Sequence, residues 1–147
     1  MSYCNLVWAS TYRTRLTILT TLQKRVVRII MNVPYRTNTR SLFYNLKILP
    51  FEYINKLQVG LFMYKLQAHQ IPASFDNWFC KNSEVHDHFT RSATNYHQRR
   101  VHTTARQHSI GICGPLLWNS LPKDLTNLPT VYQFKRKLKF HLLASLA

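Results

Sequence analysis

Three glycines in 147 residues, Gly60, Gly111 and Gly114, leave this chain few positions for the left-handed turns that close a sheet of short strands. Prolines at 34, 50, 72, 115, 122 and 129 divide it at wide intervals. Scarce glycine with spaced proline points to helices ended by prolines, and the expected class is mainly α.

The apolar spacing agrees. From Arg13 to Asn32, Leu16, Leu19, Leu22, Val26, Ile29 and Ile30 recur at three and four residues, which predicts a helix with that stripe buried and Pro34 ending it. A short helix is expected from Thr39 or Arg40 to Lys47. Another is expected from Pro50 to His69 or Gln70, with Tyr53, Ile54, Leu57, Leu61, Met63, Tyr64 and Leu66 apolar. A brief helical turn follows Pro72. Asn82 to Ser109 is polar and aperiodic and reads as loop and short strand. Ile110 to Pro122 concentrates glycine, proline and Trp118, the chemistry of turns. Thr130 and Gln133 have capping-box spacing before a last helix, 130–145, with Val131, Phe134, Leu138 and Leu142 on one face. Trp118, Tyr132 and Phe134 are expected in the core. The chain thus divides into 1–75, helical, and 76–147, irregular and then helical, with a boundary near 71–81.

Charge limits function more sharply than pattern does. Twenty Lys and Arg against five acids give a formal net charge of +15. Residues 1–50 hold eight cations and no acid, and Lys135, Arg136, Lys137 and Lys139 close the chain unopposed. With 46% hydrophobic and 13% aromatic residues the chain is too apolar for a disordered basic tail. Such a field attracts polyanions. Nucleic acid is the expected partner rather than a membrane surface, because the apolar faces look committed to a core.

Several chemistries lack their residues. No apolar run reaches the length of a membrane span, and the start of the chain lacks the features of a secretory signal, so an intracellular place, nucleus or cytoplasm, is expected. Cys4, Cys80 and Cys113, an odd and widely spaced set, read as free thiols. No phosphate-cradling glycine loop is present, and five acids cannot supply converging carboxylates for two-metal phosphoryl transfer. His86, His88, His97, His102 and His108 match no zinc spacing and read as surface histidines. Cys113 with His108 reads as a thiol near a histidine rather than a nucleophile and its base. No cofactor, metal or small-molecule substrate is implied.

The cations remain. Lys24, Arg25 and Arg28 on the first long helix, Arg36 and Arg40 beyond it, Arg99, Arg100 and Arg106 in the middle loop, and Lys135, Arg136, Lys137 and Lys139 on the last helix are the candidate nucleic-acid contacts. Tyr96, beside the middle group, is the candidate ring to stack on a base.

The order of short motifs resembles the C-terminal part of reverse transcriptases of non-LTR (LINE-type) retrotransposons, of jockey-like and related lineages. The residues are Tyr3-Cys4-Asn5 with Val7-Trp8, Leu22 to Arg25 with Arg28-Ile29-Ile30, Thr39, Leu42-Phe43, Leu46 to Leu49 and Phe62-Met63-Tyr64. They continue with Asn82, His86, Thr90-Arg91, Ser109-Ile110, Gly114-Pro115, Trp118 to Pro122, Phe134-Lys135 and Leu138-Lys139. The resemblance implies a thumb-like helical segment over 1–75 followed by the region after the polymerase core. It implies binding of RNA or an RNA–DNA template-primer through phosphates, and contact with other parts of the reverse transcriptase. It carries over no catalytic residue: the Tyr-x-Asp-Asp box has no counterpart here, nor has a zinc knuckle. The expectation is a non-catalytic fragment, not an enzyme, with Met1 an internal residue of a longer ancestor. The alternative is a helical protein-interaction module without nucleic-acid function.

Overall fold

The structure, a computed structural model, describes residues 4–9, 11–88 and 90–146. Met1, Tyr3 and the side chains of Arg13 and Asp76 lie outside what is described. The fold is mainly helical. Its elements are α1 (Asn5–Trp8), α2 (Arg13–Ile30), α3 (Thr39–Asn45), α4 (Phe51–Gln67), a 3₁₀ turn (Ala73–Trp78), α5 (Asn82–Val85), α6 (Thr104–Gln107), α7 (Ile110–Ser120), α8 (Lys123–Thr126) and α9 (Val131–Ala144). Instead of short strands, the described residues of the middle region hold one isolated antiparallel bridge, Lys81 with Tyr96. No helix of the described chain is long and apolar enough to cross a membrane.

The described chain divides by packing into two compact units, 1–58 with 135–147, and 59–134. The division into 1–75 and 76–147 was one of composition. Glycine supplies none of the left-handed residues. α2, α3 and α4 each end in a helix-terminating αL turn, at Asn32, Lys47 and His69, with φ of 48°, 53° and 52°. At each, the next residue's N–H reaches back five positions: Val33 to the Arg28 carbonyl, Ile48 to Phe43 and Gln70 to Lys65.

In the first unit Gln23 sets the rotation of α2. Its Nε2 donates to the Leu49 carbonyl at 2.9 Å, and its Oε1 accepts from the Phe51 N–H at 2.7 Å. One side-chain amide thus replaces the backbone pairing that Pro50, between those residues, interrupts. Val27, one turn on, is buried on the same face. The predicted stripe is therefore turned the other way: Leu22, Val26, Ile29 and Ile30 are 49–71% exposed, with Ile18 beside them, while Leu16 and Leu19 are half-buried. Periodicity located an apolar face but could not weigh it against an amide clasp. Trp8 stacks on Phe51 at 5.3 Å, and Asn55 donates to the Asn5 Oδ1 at 3.1 Å, so α1 is held at the start of α4. Phe43, Phe51, Leu138 and Leu143 are among the core residues of this unit.

In the second unit the expected turn cluster at 110–122 is the helix α7, with Pro115 inside it. Proline disfavours helical geometry in the residue before it by striking that residue's Cβ, and Gly114 has none. The missing Cβ also lets Met63 close in: one built on Gly114 would lie 2.7 Å from the Met63 sulfur. Tyr64 stacks on Phe134 at 4.6 Å, donates its hydroxyl to the Leu128 carbonyl at 2.6 Å, and Trp118 packs on the same phenylalanine. The Thr130 hydroxyl caps α9 through the Gln133 N–H. Phe134, Leu138 and Leu142 on α9 are buried as predicted, but Val131 is only half-buried and Tyr132 is exposed rather than core.

Replacing Gln23 with leucine keeps the size and deletes both bonds around Pro50. Unfolding free energy in urea should fall by about 1–3 kcal/mol, the cost of unpaired part-buried backbone groups; an unchanged midpoint would show that the clasp is not what fixes α2.

Candidate nucleic-acid interface

All twelve predicted cations lie in the described residues, and each unit carries its own set. In the first unit Lys24, Arg25 and Arg28 fall on one side of α2 by their three- and four-residue spacing. Lys24 and Arg25 are exposed. Arg28 is half-buried and partly structural: its Nε donates to the Thr37 carbonyl at 3.0 Å, and its guanidinium carbon lies 5.3 Å from the centre of the exposed Tyr35 ring. Arg25, Arg28 and Tyr35 line one shallow cavity of about 260 Å³. Arg36, on the connector, and Arg40, in the first turn of α3, are exposed. Asn38 caps that helix through the Arg40 N–H, a role its position before Thr39 could have signalled. Lys135, Arg136, Lys137 and Lys139 are exposed around α9.

In the second unit the structure gathers Arg99, Arg100 and Arg106 around one cavity of about 390 Å³. The backbone of Arg106 is fixed by Ser109, whose hydroxyl and N–H both donate to the Arg106 carbonyl, at 2.7 and 3.1 Å. Among the described residues none of the twelve cations forms an ion pair with a carboxylate.

Tyr96 is not the aromatic partner of this group. It is buried, edge-on to Phe79 at 6.2 Å, and burial, with Glu84 adding, pushes its phenol above the usual range. Asn119 fixes its backbone, donating to the Tyr96 carbonyl at 2.8 Å and accepting from the Tyr96 N–H at 3.1 Å. The ring beside the arginines is Trp78, 52% exposed at the end of the 3₁₀ turn. Sequence reasoning passed over it, since nothing in a span of Phe, Trp and Phe says which ring faces out.

The polar segment next to this cavity is tied down by amides. Besides the Asn119 pair, the His97 N–H donates to the Cys80 carbonyl at 2.8 Å, Asn82 Nδ2 donates to the Ser92 carbonyl at 2.9 Å, and Asn82 Oδ1 lies 3.2 Å from His97 Nδ1. Among the described residues no group of three or more His, Cys, Asp or Glu is placed to hold a metal ion. The Cys113 thiol points to the His108 carbonyl at 3.8 Å rather than to an imidazole, and burial pushes it up, away from a reactive thiolate.

No family model matches the chain, and no curated protein or solved structure matches it either.

Replacing Asn119 with alanine unties Tyr96. It should cost about 1–3 kcal/mol of stability, and amide exchange at Tyr96 and His97 should accelerate well beyond that of Met63 in the same unit. Equal acceleration throughout would mean global destabilisation rather than a local tether.

Proposed function

We propose that the chain is a non-catalytic part of an RNA-directed DNA polymerase of the non-LTR retrotransposon type, which binds RNA or an RNA–DNA hybrid through backbone phosphates. The observation that supports this is electrostatic. Eleven of the twelve candidate cations are exposed, Arg28 being half-buried, and none is neutralised by a carboxylate among the described residues. A surface helix that uses charge only for solubility commonly alternates signs at three and four residues. α9 has four cations and no acid. The order of the short motifs is what supports the polymerase part of this reading. Phosphate contacts of this kind position a duplex and read little sequence.

The exposed stripe on α2, Ile18, Leu22, Val26 and Ile29, favours a second reading, a protein-interaction module. In that case the chain self-associates or captures another part of the polymerase and leaves nucleic acid unbound.

Titration of a labelled RNA–DNA hybrid at several salt concentrations separates the two. With about six phosphates neutralised, affinity should fall on the order of 10³-fold between about 50 and 200 mM salt. Affinity that stays flat over that range, or no binding at low salt, would remove the phosphate reading.

A further inference from the structure

Three arginines, an exposed indole and the start of a helix line the cavity of the second unit, and backbone phosphate binding accounts for the arginines alone. Trp78 is the outer end of a run of touching rings. Its ring meets Phe75 at 5.1 Å and 60°, Phe75 meets Phe62 at 5.7 Å, and Phe62 meets Phe79 at 6.1 Å. Anchored from below in this way, the half-exposed indole is positioned before any ligand arrives. Arg99 and Arg100 come from the extended segment before α6, and Arg106 from α6 itself. No described side chain lining the cavity is acidic. Ser109 spends its hydroxyl on Arg106 and leaves the first turn of α7 without a side-chain cap on the same cavity wall. At about 390 Å³ the space falls within the range of small-ligand sites.

We propose that this cavity takes one unpaired nucleotide of a single strand, its base stacked on Trp78 and its phosphate held by Arg99, Arg100 and Arg106. Guanidinium groups hold phosphate oxygens in a bidentate fork, and an indole offers a face that any base can cover. Bases in the interior of a duplex are already stacked and paired and leave the indole no face to cover. An acidic peptide would occupy the arginines and leave the indole without a role. The inference rests on the nucleic-acid reading above and narrows it: this site selects unpaired strand, where the other cations grip backbone in any form.

The test compares the full chain with Trp78→Ala and Trp78→Phe, by fluorescence anisotropy at one fixed salt concentration. The probes are a short single-stranded RNA, the same backbone with abasic sites, and a blunt RNA–DNA hybrid. Trp78→Ala should weaken single-stranded RNA on the order of 10-fold, the scale of one lost base stack. It should leave the hybrid and the abasic strand unchanged, while Trp78→Phe retains most of the affinity. Equal effects of Trp78→Ala on all three probes, or none on any, would overturn this site while leaving the phosphate reading in place. Should Trp78→Ala fail to fold by circular dichroism, wild-type chain that binds abasic and intact single strands alike would overturn it too. Absence of wild-type binding to every probe would remove the phosphate reading and this site with it.

Discussion

In the second unit a polar stretch that joins no sheet among the described residues is held at Tyr96 by a side-chain amide. Asn119 gives its N–H to Tyr96 and takes an N–H back, as a neighbouring strand would. Gln23 does the same in the first unit for the backbone on either side of Pro50. Each bond pairs a backbone group that no helical ladder reaches. The cavity depends on the first clasp, because the segment that carries Arg99 and Arg100 runs directly on from Tyr96. The outward stripe of α2 depends on the second, because the residue that reaches the start of α4 fixes which side of α2 is covered.

Several motifs that support the family resemblance turn out to be parts of these supports. Gln23 sits among Leu22 to Arg25, and Asn119 among Trp118 to Pro122. Gly114-Pro115 forms the close approach to Met63, and Ser109 fixes the backbone of Arg106. These residues act on the scaffold, which leaves the cations as the candidates for contact with a ligand.

Much of the helical architecture could be read from the sequence. Proline and glycine usage with apolar periodicity located α2, α3, α4 and α9, and Thr130 with Gln133 marked the start of the last. Two of the readings that failed did so for local reasons. Ile110 to Pro122 looked like turns because each Gly and Pro is a helix breaker alone, yet α7 runs through Pro115, and Gly114 removes one of the clashes, that with the preceding Cβ. The stripe of α2 looked buried because periodicity counts apolar side chains and not the amide that competes with them. At the candidate site, the three arginines of the middle loop could be named from charge, but the neighbouring ring could not. Tyr96 is adjacent in sequence and buried, while Trp78 lies more than twenty positions upstream and is exposed.

In the proposed function the exposed cations of α2 and α9 meet the nucleic-acid backbone. Lysine acetylation followed by mass spectrometry, with and without a saturating RNA–DNA hybrid at low salt, tests it residue by residue. Lys24, Lys135, Lys137 and Lys139 should be protected, with Lys56, Lys65 and Lys123 as reactive as in the free chain. Protection of the second group, or equal reactivity of all seven with and without hybrid, would contradict it.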